Sequence, residues 1–268
     1  MTHLRSVALR QVTDEERQQF PFTVPVVGAL TSLELASAVT FLVGENGSGK
    51  STLLEGIAAA AGLPTVGSDS IERDATLGAQ RTLGRALALT WHRRTRRGFF
   101  LRAEDFFGFT KTLAALRAEM QRELARVELE FAERSDEARG LARKPFARSL
   151  GEMERRYGID LDASSHGQSF LKLFQSRFVP GGLYLLDEPE APLSPTSQIA
   201  LMMLMTEMVA QDAQFIIATH SPILLGFPDA TIYSFDRVPA ERVDYEELEH
   251  VTVTRDFLNA RERYLRRL

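Results

Sequence analysis

Apolar residues run along this chain in two rhythms. Four short stretches, Val39 to Val43, Leu183 to Asp187, Phe215 to Thr219 and Thr231 to Phe235, place apolar side chains at consecutive positions. A strand reads this way when both of its faces are covered. Between them lie segments of helical composition. Thr52 to Ala61 is a strong helix former stopped by Gly62 and Pro64, and Ser197 to Ala210 is a methionine-rich helix. Continuous apolar strands separated by helices predict an α/β fold, with a mainly parallel sheet flanked by helices on both faces. Met202, Met203, Met205 and Met208 fit core filling better than a binding surface.

The remaining segments are less regular. The first forty residues read as a small N-terminal β portion, with Val7 to Arg10 as a strand ahead of the proline-punctuated FPFTVPVVGAL. Phe20 or Phe22 could stack on a base, although phenylalanines at such places are more often core. Gly62 to Gly84 is rich in Gly, Ser, Asp and Thr and predicts a loop. Arg85 to Trp91 and Gly98 to Arg102 read as two strands of a hairpin whose tip is HRRTRR. Its Arg93, Arg94, Arg96 and Arg97 could touch phosphate or form a solvated turn. From Lys111 to Arg139 the apolar positions Leu113, Leu116, Met120, Leu124, Val127 and Phe131 step by three and four, which predicts one amphipathic helix roughly 40 Å long closed by Gly140. It would be a helical arm or a surface helix on the sheet. No sustained heptad array or internal repeat accompanies it.

Composition narrows the classes. A chain of 268 residues is long enough for one large domain, taken as residues 1–268 with a helical insertion at 105–165. The net charge of −4 offers no global basic field, so a nucleic-acid surface would have to be local. The absence of cysteine excludes disulfides, thiolate metal sites and cysteine nucleophiles. The polar first twenty residues do not read as a signal peptide, and no apolar run approaches the roughly 20 residues of a membrane span. A cytoplasmic location without direct membrane insertion is expected.

The chemistry concentrates in two places. Gly44-Glu45-Asn46-Gly47-Ser48-Gly49-Lys50-Ser51 fits G-x-x-x-x-G-K-[ST] at every fixed position, and Thr52 opens the helix behind it. Strand, glycine loop and helix make successive backbone N–H groups and a helix N-terminus converge on an anion. Glycines let the backbone approach the phosphates, Lys50 brings a point charge, and Ser51 offers a hydroxyl to Mg²⁺. The second place is Leu183 to Glu190, LYLLDEPE, a buried strand that ends in paired carboxylates. In a parallel sheet its C-terminal edge lies beside the phosphate loop. Asp187 would hold Mg²⁺ through water, and Glu188 would polarise the water that attacks the γ-phosphate of ATP.

These residues resemble the ATP-binding-cassette type of P-loop ATPase, and further motifs follow in order. Ser164-Ser165-His166-Gly167-Gln168 is similar to the signature LSGGQ at Ser165, Gly167 and Gln168, with Ser164 and His166 departing, and Ser165 stands 22 residues before Asp187. His220, 33 residues after Asp187, stands where that family places its switch histidine. Pro189, Glu190, Leu193, Pro195 and Gln198 resemble the DEPE-x-x-L-x-P-x-x-Q pattern of the soluble AAA-like ATPases related to recombination and chromosome-maintenance proteins. Transporters carry an aspartate-containing loop there instead. No conventional Q-loop glutamine is evident, and Glu104 is the candidate to replace it. The resemblance, over roughly residues 20 to 240, implies Mg-dependent ATP hydrolysis at a site completed by a second subunit. Ser165, Gly167 and Gln168 would close over nucleotide held by the partner in an ATP-dependent homodimer, and His220 would sense the γ-phosphate. DNA or a protein is the implied partner. Two other readings stand beside it: the hydrolysing subunit of a membrane transporter, and a nucleotide-dependent switch with little turnover.

Overall fold

The computed structural model describes residues 2–66, 78–157 and 166–266. In chain order the first elements are β1 (Leu4–Leu9), α1 (Asp14–Arg17), α2 (Pro25–Gly28), β2 (Leu33–Glu34), β3 (Val39–Val43), α3 (Lys50–Ala61) and α4 (Gly78–Ala86). There follow β4 (Leu87–Trp91), β5 (Gly98–Arg102) and the long helices α5 (Ala103–Glu130), α6 (Asp136–Tyr157) and α7 (His166–Arg177). The last part holds β6 (Leu183–Asp187), α8 (Pro195–Val209), β7 (Gln214–Ala218), α9 (Pro222–Leu225), β8 (Thr231–Ser234), β9 (Glu241–Val243), α10 (Glu249–Asn259) and α11 (Arg261–Leu265).

Six strands form the main sheet in the order β5-β6-β7-β3-β8-β9, parallel throughout except for β9 at one edge. Side-chain alternation divides its core in two. Phe41, Val43, Tyr184, Leu186, Phe215 and Ile217 face one side, where α7 and α8 bring Phe170, Phe174, Leu201 and Met205. Leu42, Leu183, Leu185, Ile216 and Ala218 face the other, against Leu53 and Ile57 of α3 and Leu4 and Val7 of β1. The four apolar runs are therefore buried on both faces, as their pattern requires. Met205 and Met208 are core, while Met203 is 64% exposed.

A second sheet, β2-β1-β4, is antiparallel and covers α3. One buried side chain ties its N-terminal end to the main sheet. Gln214 at the start of β7 accepts from the backbone N–H groups of His3 and Leu4, both at 2.8 Å, and donates to the Leu4 carbonyl at 2.8 Å. Phe22 is core at 5% exposure, whereas Phe20 is 57% exposed.

Three expectations are corrected. The two strands around HRRTRR are not a hairpin: β4 pairs antiparallel with β1, and β5 pairs parallel with β6 in the other sheet. The basic segment is the crossing between sheets, and Arg85 and Ala86 belong to α4. The stretch from Gly62 to Gly84 is not all loop, since α4 starts at Gly78, and residues 67–77 lie outside the described residues. The amphipathic helix does not run from Lys111 to Arg139. It ends at Glu130, and α6 begins after a turn in which the Ser135 hydroxyl accepts from the Ala138 N–H. Gly140 sits inside α6. Arg117 pairs with Glu154 at 3.8 Å and Arg143 with Glu128 at 2.8 Å, so α6 runs back along α5 as an antiparallel helical hairpin.

Gly98 opens β5 with φ of 123°, and a Cβ there would lie 1.8 Å from the Leu183 carbonyl oxygen. Gly62 caps α3 with φ of 68° and open space around it. Thermal unfolding should therefore show Gly98→Ala losing about 3 kcal/mol or more, from strain and strand displacement together. Gly62→Ala should lose only about 1 kcal/mol, the left-handed penalty alone. Equal losses would mean that β5 does not lie this close to β6.

Candidate functional site

The site lies where the parallel strands end. Between β3 and α3 the loop turns on glycines with positive φ, at Gly44 (147°), Gly47 (83°) and Gly49 (103°). Gly49 is also needed for space, because a Cβ there would come within 2.6 Å of Val24. Lys50, the first residue of α3, is 5% exposed. Its ammonium donates to the carbonyls of Gly44 at 2.6 Å and Glu45 at 3.0 Å, curling over the loop. Burial lowers its pKa, opposed by the carboxylates of Glu188, Asp187, Asp236 and Glu190. The Glu45 N–H donates to Asp236 at 2.7 Å, which fixes the loop's entry to the end of β8.

Next to the loop, the Ser51 hydroxyl donates to Asp187 Oδ1 at 3.1 Å. Asp187 ends β6, two strands away from β3, so only the close of the parallel sheet brings the two together. Burial pushes its carboxyl up to about 7; the Ser51 hydrogen bond opposes this, Glu188 and Glu55 add to it, and Arg102 opposes it. Arg102 in turn is ion-paired with Glu55 at 2.5 Å. A carboxyl raised by desolvation, with a hydroxyl oxygen beside it, is a donor set that suits a hard cation. Among the described residues no group of three or more His, Cys, Asp or Glu side chains could hold a metal. Ser51 and Asp187 are the side chains here that could hold Mg²⁺.

Glu188 takes φ of 50°, a left-handed conformation unusual for a non-glycine residue. Its N–H donates to the Ala218 carbonyl at 2.9 Å, and its half-exposed side chain lies 3.8 Å from His220 Nε2. His220 follows β7 and is held at several points. Its backbone N–H donates to Glu190 at 2.8 Å, and its Nδ1 lies 3.0 Å from His250 Nε2. The neighbouring Ser221 donates to Gln198 at 2.5 Å. Burial first, then Lys50 and His250, hold the His220 pKa below its ordinary value. Burial also raises the carboxyl of Glu190. A cleft of about 790 Å³ opens beside the loop, lined among others by Asn46, Gly47, Phe235, Asp236 and His250. Pro25 and Val26 line it, and Phe20 and Phe22 do not.

The structure thus gathers Gly44 to Thr52, Asp187, Glu188 and His220. Gly167 and Gln168 fall in the first turn of α7, and Ser165 lies outside the described residues. Glu104 falls in the first turn of α5, two residues beyond Arg102, which pairs in register with Asp187. Sequence reasoning missed Asp236, His250 and the Arg102–Glu55 pair. Asp236 had one faint signal, an acidic residue just past an apolar strand; His250 had none.

The family described as "AAA domain, putative AbiEii toxin, Type IV TA system" matches residues 39–119 and 170–226, just over half of the chain and most of this site. The chain belongs to that AAA-domain family. Among curated proteins none matches. Solved structures similar to it include the Smc head domain of Pyrococcus furiosus, with an extended coiled coil and bound to the C-terminal domain of ScpA. It is 12% identical, with a TM-score of 0.46, over 96% of this chain and 100% of that one. The SMC head domain of Thermotoga maritima is 15% identical (TM-score 0.44, 91% of this chain and 98% of that one). A nucleotide-free ATP-binding cassette from an ABC transporter is 19% identical (TM-score 0.44, 94% and 96%).

The raised Asp187 carboxyl has a consequence for stability without nucleotide. Its unfolded value is about 3.9 and its folded value about 7, so between them the folded state binds more protons. This group stabilises the fold at low pH and loses that contribution as pH rises through about 4 to 7, and Glu190 acts in the same direction. The melting temperature of nucleotide-free protein should accordingly fall across this window, and Asp187→Asn should flatten the fall. An unchanged slope in the variant would place the titrating group elsewhere.

Proposed function

We propose that this AAA-domain protein binds and hydrolyses Mg-ATP and uses the cycle to change conformation on DNA or a protein partner in the cytoplasm. The observation that carries the reading is the Ser51–Asp187 hydrogen bond at the foot of the phosphate loop, with Glu188 and His220 facing each other beside it at 3.8 Å. The backbone N–H groups of Gly47 to Gly49 and the Lys50 ammonium bind the phosphate oxygens. Ser51 and Asp187 would hold Mg²⁺, which would neutralise charge on the phosphates. Glu188, held on a strained turn, orients the attacking water and accepts its proton. As the water oxygen bonds to the γ-phosphorus, the bond to the β-bridging oxygen breaks and ADP leaves with its electrons. His220 donates to a γ-phosphate oxygen.

The resemblance of Ser165, Gly167 and Gln168 to the signature LSGGQ supports a composite site in which those residues of one copy close over nucleotide on another. Among the described residues no helix is long and apolar enough to cross a membrane. The exposed Arg93, Arg94, Arg96 and Arg97 give DNA a place to bind, and the α5–α6 hairpin gives one to a protein. Stimulation of hydrolysis by DNA that disappears when those arginines become alanine would select the former; none at low salt would select the latter.

Glu188→Gln should bind Mg-ATP but release phosphate on the order of a hundredfold more slowly, whereas Lys50→Ala should weaken nucleotide binding itself. Wild-type turnover in Glu188→Gln would remove Glu188 from the chemistry. In the same Glu188→Gln background, unhydrolysed Mg-ATP should drive the sedimenting species to a dimer. Adding Ser165→Arg should abolish that shift without weakening nucleotide binding. A mass unaffected by ATP would count against the composite site.

A further inference from the structure

His250 belongs to no motif, and it comes to the site from α10, the helix that follows β9. Leu248 and Val251 are buried in the core at 6% and 3% exposure, and the Tyr245 hydroxyl donates to the Pro222 carbonyl at 3.1 Å. That seating places His250 Nε2 at 3.0 Å from His220 Nδ1, with the two ring planes tilted by 48°. The contact is a hydrogen bond between ring nitrogens, and such a bond holds one proton. Either His250 Nε2–H donates and the His220 proton sits on Nε2, or His220 Nδ1–H donates and its Nε2 is bare.

The surroundings decide between these. His220 Nε2 is buried without a hydrogen-bond partner, and the Glu188 carboxylate lies 3.8 Å from it. A bare nitrogen there would turn a lone pair toward a carboxylate, whereas an N–H turns its positive end. Phosphate oxygens only accept, so they impose the same choice. A doubly protonated ring would lose the acceptor at Nδ1 and would also meet the Lys50 charge. The groups acting on the ring are Lys50 from α3, Glu188 and Glu190 after β6, Asp236 after β8, and His250 from α10. Only His250 bonds to Nδ1.

We propose that His250 is a positioning residue that fixes His220 as the Nε2–H tautomer, so that its donor is set toward the γ-phosphate and Glu188 before nucleotide arrives. In a neutral imidazole the partner of one nitrogen determines which nitrogen carries the proton. The proposal rests on the role given to His220 above, and it makes α10 part of the site through a single hydrogen bond.

Two substitutions separate positioning from packing. His250→Phe keeps a ring of similar volume and removes the hydrogen bond; His250→Gln keeps a donor at similar reach. The first readout is the ring ¹⁵N spectrum of His220 in nucleotide-free protein. The unmodified chain should show the proton on Nε2, His250→Phe should shift toward a mixture, and His250→Gln should keep the wild-type pattern. The second readout is steady-state ATP hydrolysis. His250→Phe should lower kcat about tenfold, the scale of a lost outer partner. Its KM should stay within about twofold, since the lost interaction matters chiefly in the transition state. His250→Gln should recover most of kcat. A wild-type His220 protonated on Nδ1 overturns the proposal even if His250→Phe fails to fold. So does a His250→Phe enzyme with unchanged kcat, or a His250→Gln enzyme as slow as His250→Phe. Should the wild type hydrolyse no ATP, the proposed function fails, while the ring spectrum still decides the role of His250.

Discussion

A carboxylate taken out of water must find a donor or a cation, and the arrangement around Asp187 follows from that need. Its strand is apolar at every other position and buried on both faces, so the acid at its end is drawn into the edge of the core. There it meets the Ser51 hydroxyl from a helix two strands away. The meeting requires the order β6-β7-β3, with all three strands parallel and ending level. The Arg102–Glu55 ion pair, close enough to affect Asp187, brings β5 and α3 to the same place. Sheet order and phosphate loop thus meet at one acid whose burial its neighbours offset only in part.

The acidic and proline-rich segment after Asp187 has a local physical meaning. Glu190 accepts from the His220 N–H, and Gln198 receives the Ser221 hydroxyl while donating to the Leu193 carbonyl at 3.2 Å. Leu193 itself is buried. Glu190, Leu193 and Gln198, the spaced residues of DEPE-x-x-L-x-P-x-x-Q, therefore clamp the histidine loop from the neighbouring strand end. Glu188, between them and Asp187, adopts its left-handed turn so that its N–H can reach the Ala218 carbonyl. Its side chain is thereby turned out toward His220 while Asp187 stays inside.

What could be read from sequence was what is decided locally. The glycines of the phosphate loop, the helix behind it and the doubly buried strands each follow from neighbouring residues. Partners chosen over long range could not be read that way. Leu87 to Trp91 and Gly98 to Arg102 are apolar runs around a polar turn, and nothing in either says that they pair in different sheets; β1 and β6 decide it. The break between α5 and α6 did carry a signal, Ser135 followed by Asp136 and Glu137, an N-cap with acids in the first turn. It was masked because the apolar steps ran up to Phe131 and Gly140 looked like a stop. His250 left no signal, because its role depends only on where α10 packs.

The histidine loop is consequently a junction of three segments far apart in the chain. The backbone of His220 is held by the segment after β6, its ring by α10, and the next residue by α8. Any displacement of His220 therefore strains at least one of these three bonds. The ring contact is the one that reaches His220 from the chain beyond β9, through the half-buried His250. The other two come from Glu190, just after β6, and from Gln198 in α8. A movement of the His220 ring would therefore pass directly to α10, a helix that the chain reaches only after β9.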